Sequence, residues 1–230
     1  MPFSFWDHLD ELRNRLLKAV LAVAGTTFFS FFFANHLLGW LVKPSPLGPD
    51  GLTALKPAAV FVESLRLSLV AGLLLALPVV LYQAWAFIRP GLSAKEGRAF
   101  VLSFYAGALL FIAGSLFAYY LVIPATLNFF WMYGEHLGVQ QAWTIDHYIS
   151  FVLMFLLSFG LAFELPVILV LLVWLNIVRT EQLRAKRPYI IVGLAILAAL
   201  LTPPDAVSQV LLILPLWLLF EISLFVSKRL

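Results

Sequence analysis

The chain has no cysteine. A disulfide framework, a Cys-ligated zinc and an iron–sulfur cluster are thereby excluded. Charge is also scarce: only 12% of the 230 residues are Asp, Glu, Lys or Arg, against about 25% in a soluble domain. Enzyme signatures are missing. There is no His-Glu-x-x-His, no Gly-x-Ser-x-Gly, no Walker sequence and no Gly-x-Gly-x-x-Gly. The histidines, His8, His36, His136 and His147, are dispersed rather than grouped as ligands. The sequence therefore reads as non-enzymatic, with no cofactor, no metal and no nucleic-acid partner. It shows no internal repeat, low-complexity tract or linker, which predicts one domain over residues 1–230.

What the chain has instead is apolar surface: 63% of its residues are hydrophobic and its mean hydropathy is +0.99. A soluble protein of this size has no interior large enough to hide that surface, so the solvent must be lipid. A spanning helix needs about 20 mostly apolar residues. Six runs meet or approach that length: 16–38, 67–88, 100–123, 149–175, 188–201 and 206–226. The fold expected is all-α, an integral membrane protein of six transmembrane helices. Glu164 and Pro166 interrupt the fourth run. The fifth is short and spans only ~22 Å, at ~1.5 Å per residue, so it must thin the bilayer or borrow flanking residues. Four spans plus a re-entrant pair is the alternative.

Positive charge predicts the orientation. Twelve of the fifteen basic residues fall in alternate segments, as Arg13, Arg15 and Lys18, then Arg89, Lys95 and Arg98, then Arg179, Arg184, Lys186 and Arg187, then Lys228 and Arg229. The other side holds Lys43, Lys56 and Arg66, and the connection 124–148 holds none. Both termini are thus expected in the cytoplasm. Asp7, Asp10 and Glu11 argue against a secretory signal peptide at the N-terminus. The proline-rich connection 43–62 is expected to form an ordered cap over the outer helix ends.

Five polar positions stand out. Glu164 lies inside the fourth span, where a carboxylate is costly unless it faces a cavity or a polar partner. Pro166 kinks the helix beside it, which suggests a functional concavity, although a protonated acid serving helix packing is the plain alternative. Glu11 and Glu96 lie on the basic, cytoplasmic side. Each has an ordinary reading, Glu11 as an i,i+4 pair with Arg15 and Glu96 as a charge at a helix N-terminus. Together they suit a guanidinium ligand, whose planar fork binds carboxylates bidentately. In the turn 201–209, Pro203 and Pro204 stop the fifth span and Asp205 is placed to cap the sixth. Gln209, one turn further, should bond to another helix of this chain or of a partner.

Five segments together resemble the TatC family, the signal-peptide receptors of the twin-arginine protein translocase. They are His-Leu-x-Glu-Leu-Arg-x-Arg-Leu (8–16), Pro-x-x-Leu-Tyr-Gln-x-Trp-x-Phe-Ile (78–88), Phe-Glu-x-Pro (163–166), Leu-Arg-x-Lys-Arg-Pro-Tyr (183–189) and Leu-Thr-Pro-Pro-Asp-x-x-Ser-Gln (201–209). The resemblance implies a concave, cupped-hand bundle in the cytoplasmic (inner) membrane, with short fifth and sixth helices. It implies that the chain binds twin-arginine signal peptides of folded cargo through Glu11 and Glu96, with Arg13 beside them. It places Glu164 in the membrane concavity, tied to transport. It makes Thr202 and Gln209 the docking point of a single-span TatA/TatB-type helix, and it implies self-association in the complex. The competing function is a proton-coupled secondary transporter with Glu164 as the coupling residue, which would call for paired discontinuous helices or an inverted repeat, and the sequence shows neither.

Overall fold

The computed structural model describes residues 5–48, 51–88, 94–202 and 205–228, with the side chains of 5–8, 88, 94–96, 98 and 99 outside that description. Five helical stretches are long and apolar enough to cross a membrane: Leu9–Phe32, Ala59–Phe87, Phe100–His136, Ile145–Trp174 and Ala206–Ser227. Arg187–Leu201 is a sixth, shorter apolar helix. By contact density the chain divides into two compact units. One comprises Met1–Trp40 with Ala54–Val101, the other Leu41–Thr53 with Leu102–Leu230.

The first unit rests on α1 (Phe5–Phe32) and α3 (Ala59–Ile88); α2 (Ala34–Val42) follows α1 directly. Both long helices begin well before the apolar runs that identify them. Hydrogen bonding propagates the helix at little cost once it is nucleated, so polar turns extend the spans. Where α1 and α3 cross, Thr26 Oγ1 donates to Gly72 O at 2.7 Å. A Cβ on Gly72 would lie 2.4 Å from Thr27 Cα, so the missing side chain permits the close approach that substitutes for a hydrophobic drive inside lipid.

In the second unit, α4 (Ala94–Phe117) passes through a π-helical turn, Ala118–Val122, into α5 (Ile123–His136). Most of the connection expected at 124–148 is therefore helix. Pro124 sits in the first turn of α5, where its missing N–H is tolerated, and the wide turn before it accommodates the lost hydrogen bond. A short strand β1 (Leu52–Thr53) pairs in parallel with β2 (Trp143–Thr144), and Thr53 Oγ1 donates to Trp143 O at 3.2 Å. The proline-rich connection is thus pinned at this point. Its last residues, from Ala59 on, belong to α3.

Next come α6 (Ile145–Ala162) and α7 (Leu165–Trp174), separated at Phe163–Glu164. Pro166 lies in the first turn of α7, so the interruption read from Glu164 and Pro166 is a real break between helices. A six-residue helix α8 (Thr180–Ala185) leads into α9 (Arg187–Leu201) and α10 (Ala206–Ser227). The fifth span, α9, is 15 residues long, as short as expected. The sixth is not short: α10 runs for 22 residues, about 33 Å at ~1.5 Å per residue. Its helix is unbroken, and Pro215 lies inside it without ending it. The core of this unit holds Phe155, Phe159, Leu212, Leu216 and Phe220, all fully buried.

Candidate functional site

At the N-terminal end of α1, Glu11 Oε1 accepts from Arg15 Nε at 2.9 Å and also from Arg15 Nη2. A four-residue spacing places the two side chains one turn apart on the same face. About a quarter of each side chain remains exposed, so the acid is accessible from outside. Arg13 is two residues from Glu11, or ~200° around the helix at ~3.6 residues per turn. It therefore points away from Glu11 and pairs loosely with Asp10 at 3.9 Å, both largely exposed. The structure does not bring Arg13 and Glu11 together. Glu96 falls in the first turn of α4, and its side chain lies outside the described residues.

Glu164 occupies the junction between α6 and α7. Its backbone N–H donates to Leu161 O at 3.1 Å, and its carbonyl accepts from Ile168 N at 3.0 Å. The backbone is thus satisfied across the break. The half-buried side chain lies against α4. Phe117 of α4 flanks the break, with its ring centroid 5.7 Å from that of Phe163 and 6.1 Å from that of Phe159. Ser115 Oγ donates to Leu156 O at 3.1 Å, which ties α4 to α6 about two turns along from the acid.

At the α9–α10 turn, Asp205 Oδ1 accepts from Ser208 N at 2.7 Å and caps α10. Pro203 and Pro204 lie outside the described residues. Thr202 is buried, and its hydroxyl donates to Ala198 O at 2.8 Å within its own helix. Gln209 Nε2 donates to Ala195 O on α9 at 3.3 Å. The helix that the Gln209 amide reaches is therefore in this chain. The surface left for a partner at this corner is apolar, with Leu200 74% and Val210 53% exposed.

Two further acids are engaged in the structure. Glu221 Oε2 accepts from Arg187 Nη2 at 2.7 Å, joining the start of α9 to the last third of α10. The signal was available: an acid inside the last apolar run, beside a helix whose antiparallel neighbour begins with arginine. Glu63 is 4% exposed, with Arg66 Nη1 3.5 Å from its Oε1. It lies upstream of the apolar run that defines the second span, so run length does not single it out.

Comparison with known proteins agrees with this layout. The family model described as "Sec-independent protein translocase protein (TatC)" matches residues 7–215. The TatC protein of Escherichia coli K12 is 42% identical over 225 residues, covering 96% of this chain and 86% of the relative. The chloroplastic TATC of Arabidopsis thaliana is 39% identical over 214 residues, covering 93% and 63%. A crystal structure of the twin-arginine translocase receptor TatC in DDM superposes with a TM-score of 0.81 at 38% identity, covering 96% of this chain and 99% of that one.

Proposed function

The chain belongs to the TatC family of Sec-independent protein translocase proteins, and from that premise we propose that it is the receptor that admits twin-arginine signal peptides to a translocase. It is a multi-pass membrane protein of a transport family. On this reading residues 1–230 act as one transport unit in the cytoplasmic membrane, with both termini inside. Glu11 and Glu96 receive the arginine pair, and the apolar part of the peptide enters the lipid beside the spans. Arg13 has the wrong charge to receive an arginine and contributes only by flanking the site. Glu164 serves the transport step. The α9–α10 corner, built on Thr202, Asp205 and Gln209, receives a single-span TatA/TatB-type helix, and further copies of the chain join the assembly.

One observation carries the reading: Glu11 already holds a guanidinium, that of Arg15, by two N–H donors. Both donors fall on one oxygen, Oε1, and this pairing supports the reading that the Glu11 carboxylate can receive a guanidinium, with Arg15 in the place proposed for the peptide's arginine. The test is binding of a labelled signal peptide to the purified full chain. Arg-Arg should bind more tightly than Lys-Lys, because an ammonium has no planar fork to offer a carboxylate. Glu11→Gln and Glu96→Gln should each weaken binding and show coupling in a double-mutant cycle. Wild-type affinity in both single variants rejects the site.

A further inference from the structure

Gly107 is buried in the interior of α4, where glycine weakens a helix relative to alanine. Its neighbours explain the choice. A Cβ built on Gly107 would lie 2.6 Å from Glu164 Oε2 and 3.2 Å from both Cδ and Oε1. All three of these atoms belong to one carboxyl group. The other glycines at this seam behave differently. A Cβ on Gly114 would lie 2.5 Å from the backbone oxygen of Phe159, and one on Gly160 would lie 2.6 Å from the Phe111 ring. Those two let the helices close on each other, whereas Gly107 makes room for a functional group. Positions 107, 111 and 114 recur at helical spacing on one face of α4, so the seat and the helix contact form one continuous surface. Among the described residues no hydrogen bond or ion pair holds the Glu164 carboxyl. Among those residues it is shape that decides where it lies.

We infer that Gly107 is a positioning residue for Glu164: the absent side chain is the recess in which the carboxyl rests against α4, and any Cβ there lifts the carboxyl out. The inference rests on the reading of Glu164 as the transport group. It adds a second residue, 57 positions away in sequence, that sets where the acid is presented.

Gly107→Ala in the full chain tests it. The atoms struck are the free end of a flexible side chain, so the carboxyl yields by about 1 Å to reach a contact of ~3.5 Å while the helices stay in place. Infrared difference spectroscopy reads this directly, with Glu164→Gln identifying the carboxyl band of the purified protein. Gly107→Ala should shift that band, not lower the thermal midpoint, and lower export of a twin-arginine substrate about three- to tenfold, the scale of an off-rotamer side chain. Gly193→Ala, with no atom within 4 Å of its Cβ, should change neither the band nor export and should not lower the thermal midpoint. Gly114→Ala should lower the thermal midpoint and so provide the signature of damaged packing. A wild-type band and wild-type export in Gly107→Ala overturn the inference, as does a Gly114-like loss of midpoint with the band unmoved. Should Gly107→Ala fail to accumulate, Gly107→Ala/Glu164→Ala decides, since recovery of folded protein locates the clash in the carboxyl and no recovery overturns the inference. Normal export by Glu164→Gln would instead overturn the reading of Glu164 itself.

Discussion

Neutralising Glu11 and neutralising Arg15 should move peptide affinity in opposite directions. In the free protein Glu11 is engaged by Arg15 through Nε and Nη2, a part-buried i,i+4 pair of a kind worth ~0.2–0.5 kcal/mol on a helix. An incoming arginine must displace it. A charge-assisted hydrogen bond contributes ~1.5–3 kcal/mol, so the net gain at Glu11 is about 1–3 kcal/mol. Glu11→Gln forfeits that gain and should raise Kd about five- to hundredfold, at ~1.4 kcal/mol per decade. Arg15→Gln removes the competitor and should tighten binding by up to about twofold, the whole worth of the pair. Both effects should shrink with added salt, since each side chain is about a quarter exposed and the screening length is ~10 Å at 0.1 M. The assay is fluorescence anisotropy of a labelled twin-arginine peptide titrated with the detergent-solubilised chain at two ionic strengths. If Arg15→Gln weakens binding as strongly as Glu11→Gln, Arg15 is a ligand of the peptide and not a stand-in for it.

Other outcomes follow from single contacts. Breaking the Arg187–Glu221 pair with Glu221→Gln should cost ~0.2–1 kcal/mol, since its side chains are 44% and 33% exposed; the swap Arg187→Glu/Glu221→Arg should recover the thermal midpoint. Asp205→Ala removes the cap on α10 and should cost ~0.5–2 kcal/mol, read in the same melts. The absence of native cysteine makes crosslinking clean. Cysteines at the exposed positions Leu200 and Val210 should capture a TatA/TatB-type helix, while one at buried Thr202 or at Val20 on α1 should not. Equal yields at all positions would reject the α9–α10 corner as a docking surface.

Much of this protein is legible from local composition. That it lives in lipid, and roughly where each span runs, follows from apolar run length, because transfer from water to lipid depends on the segment itself and on little else. The break at Glu164 and the turn at Asp205 are legible for the same reason: a proline and a capping carboxylate act within one helical turn. The Glu11–Arg15 pair is local too, fixed by a four-residue spacing.

Other features depend on how helices rotate against each other. The helix continues through Pro124 because a π-helical turn precedes it, and nothing in the residue types announces that turn. Gln209 bonds to Ala195 of this chain, and Thr202 is buried with its hydroxyl on its own helix; only the packing of α9 against α10 decides this. Arg187 meets Glu221 because two antiparallel helices bring one's start beside the other's far end. Gly107 is silent in sequence, since a glycine inside a span signals close approach without naming what approaches. Sequence determines which groups must find a partner in lipid, for that is a property of each group's solvation. Tertiary structure decides which partner each one finds, because helices pack through faces assembled from residues far apart in the chain.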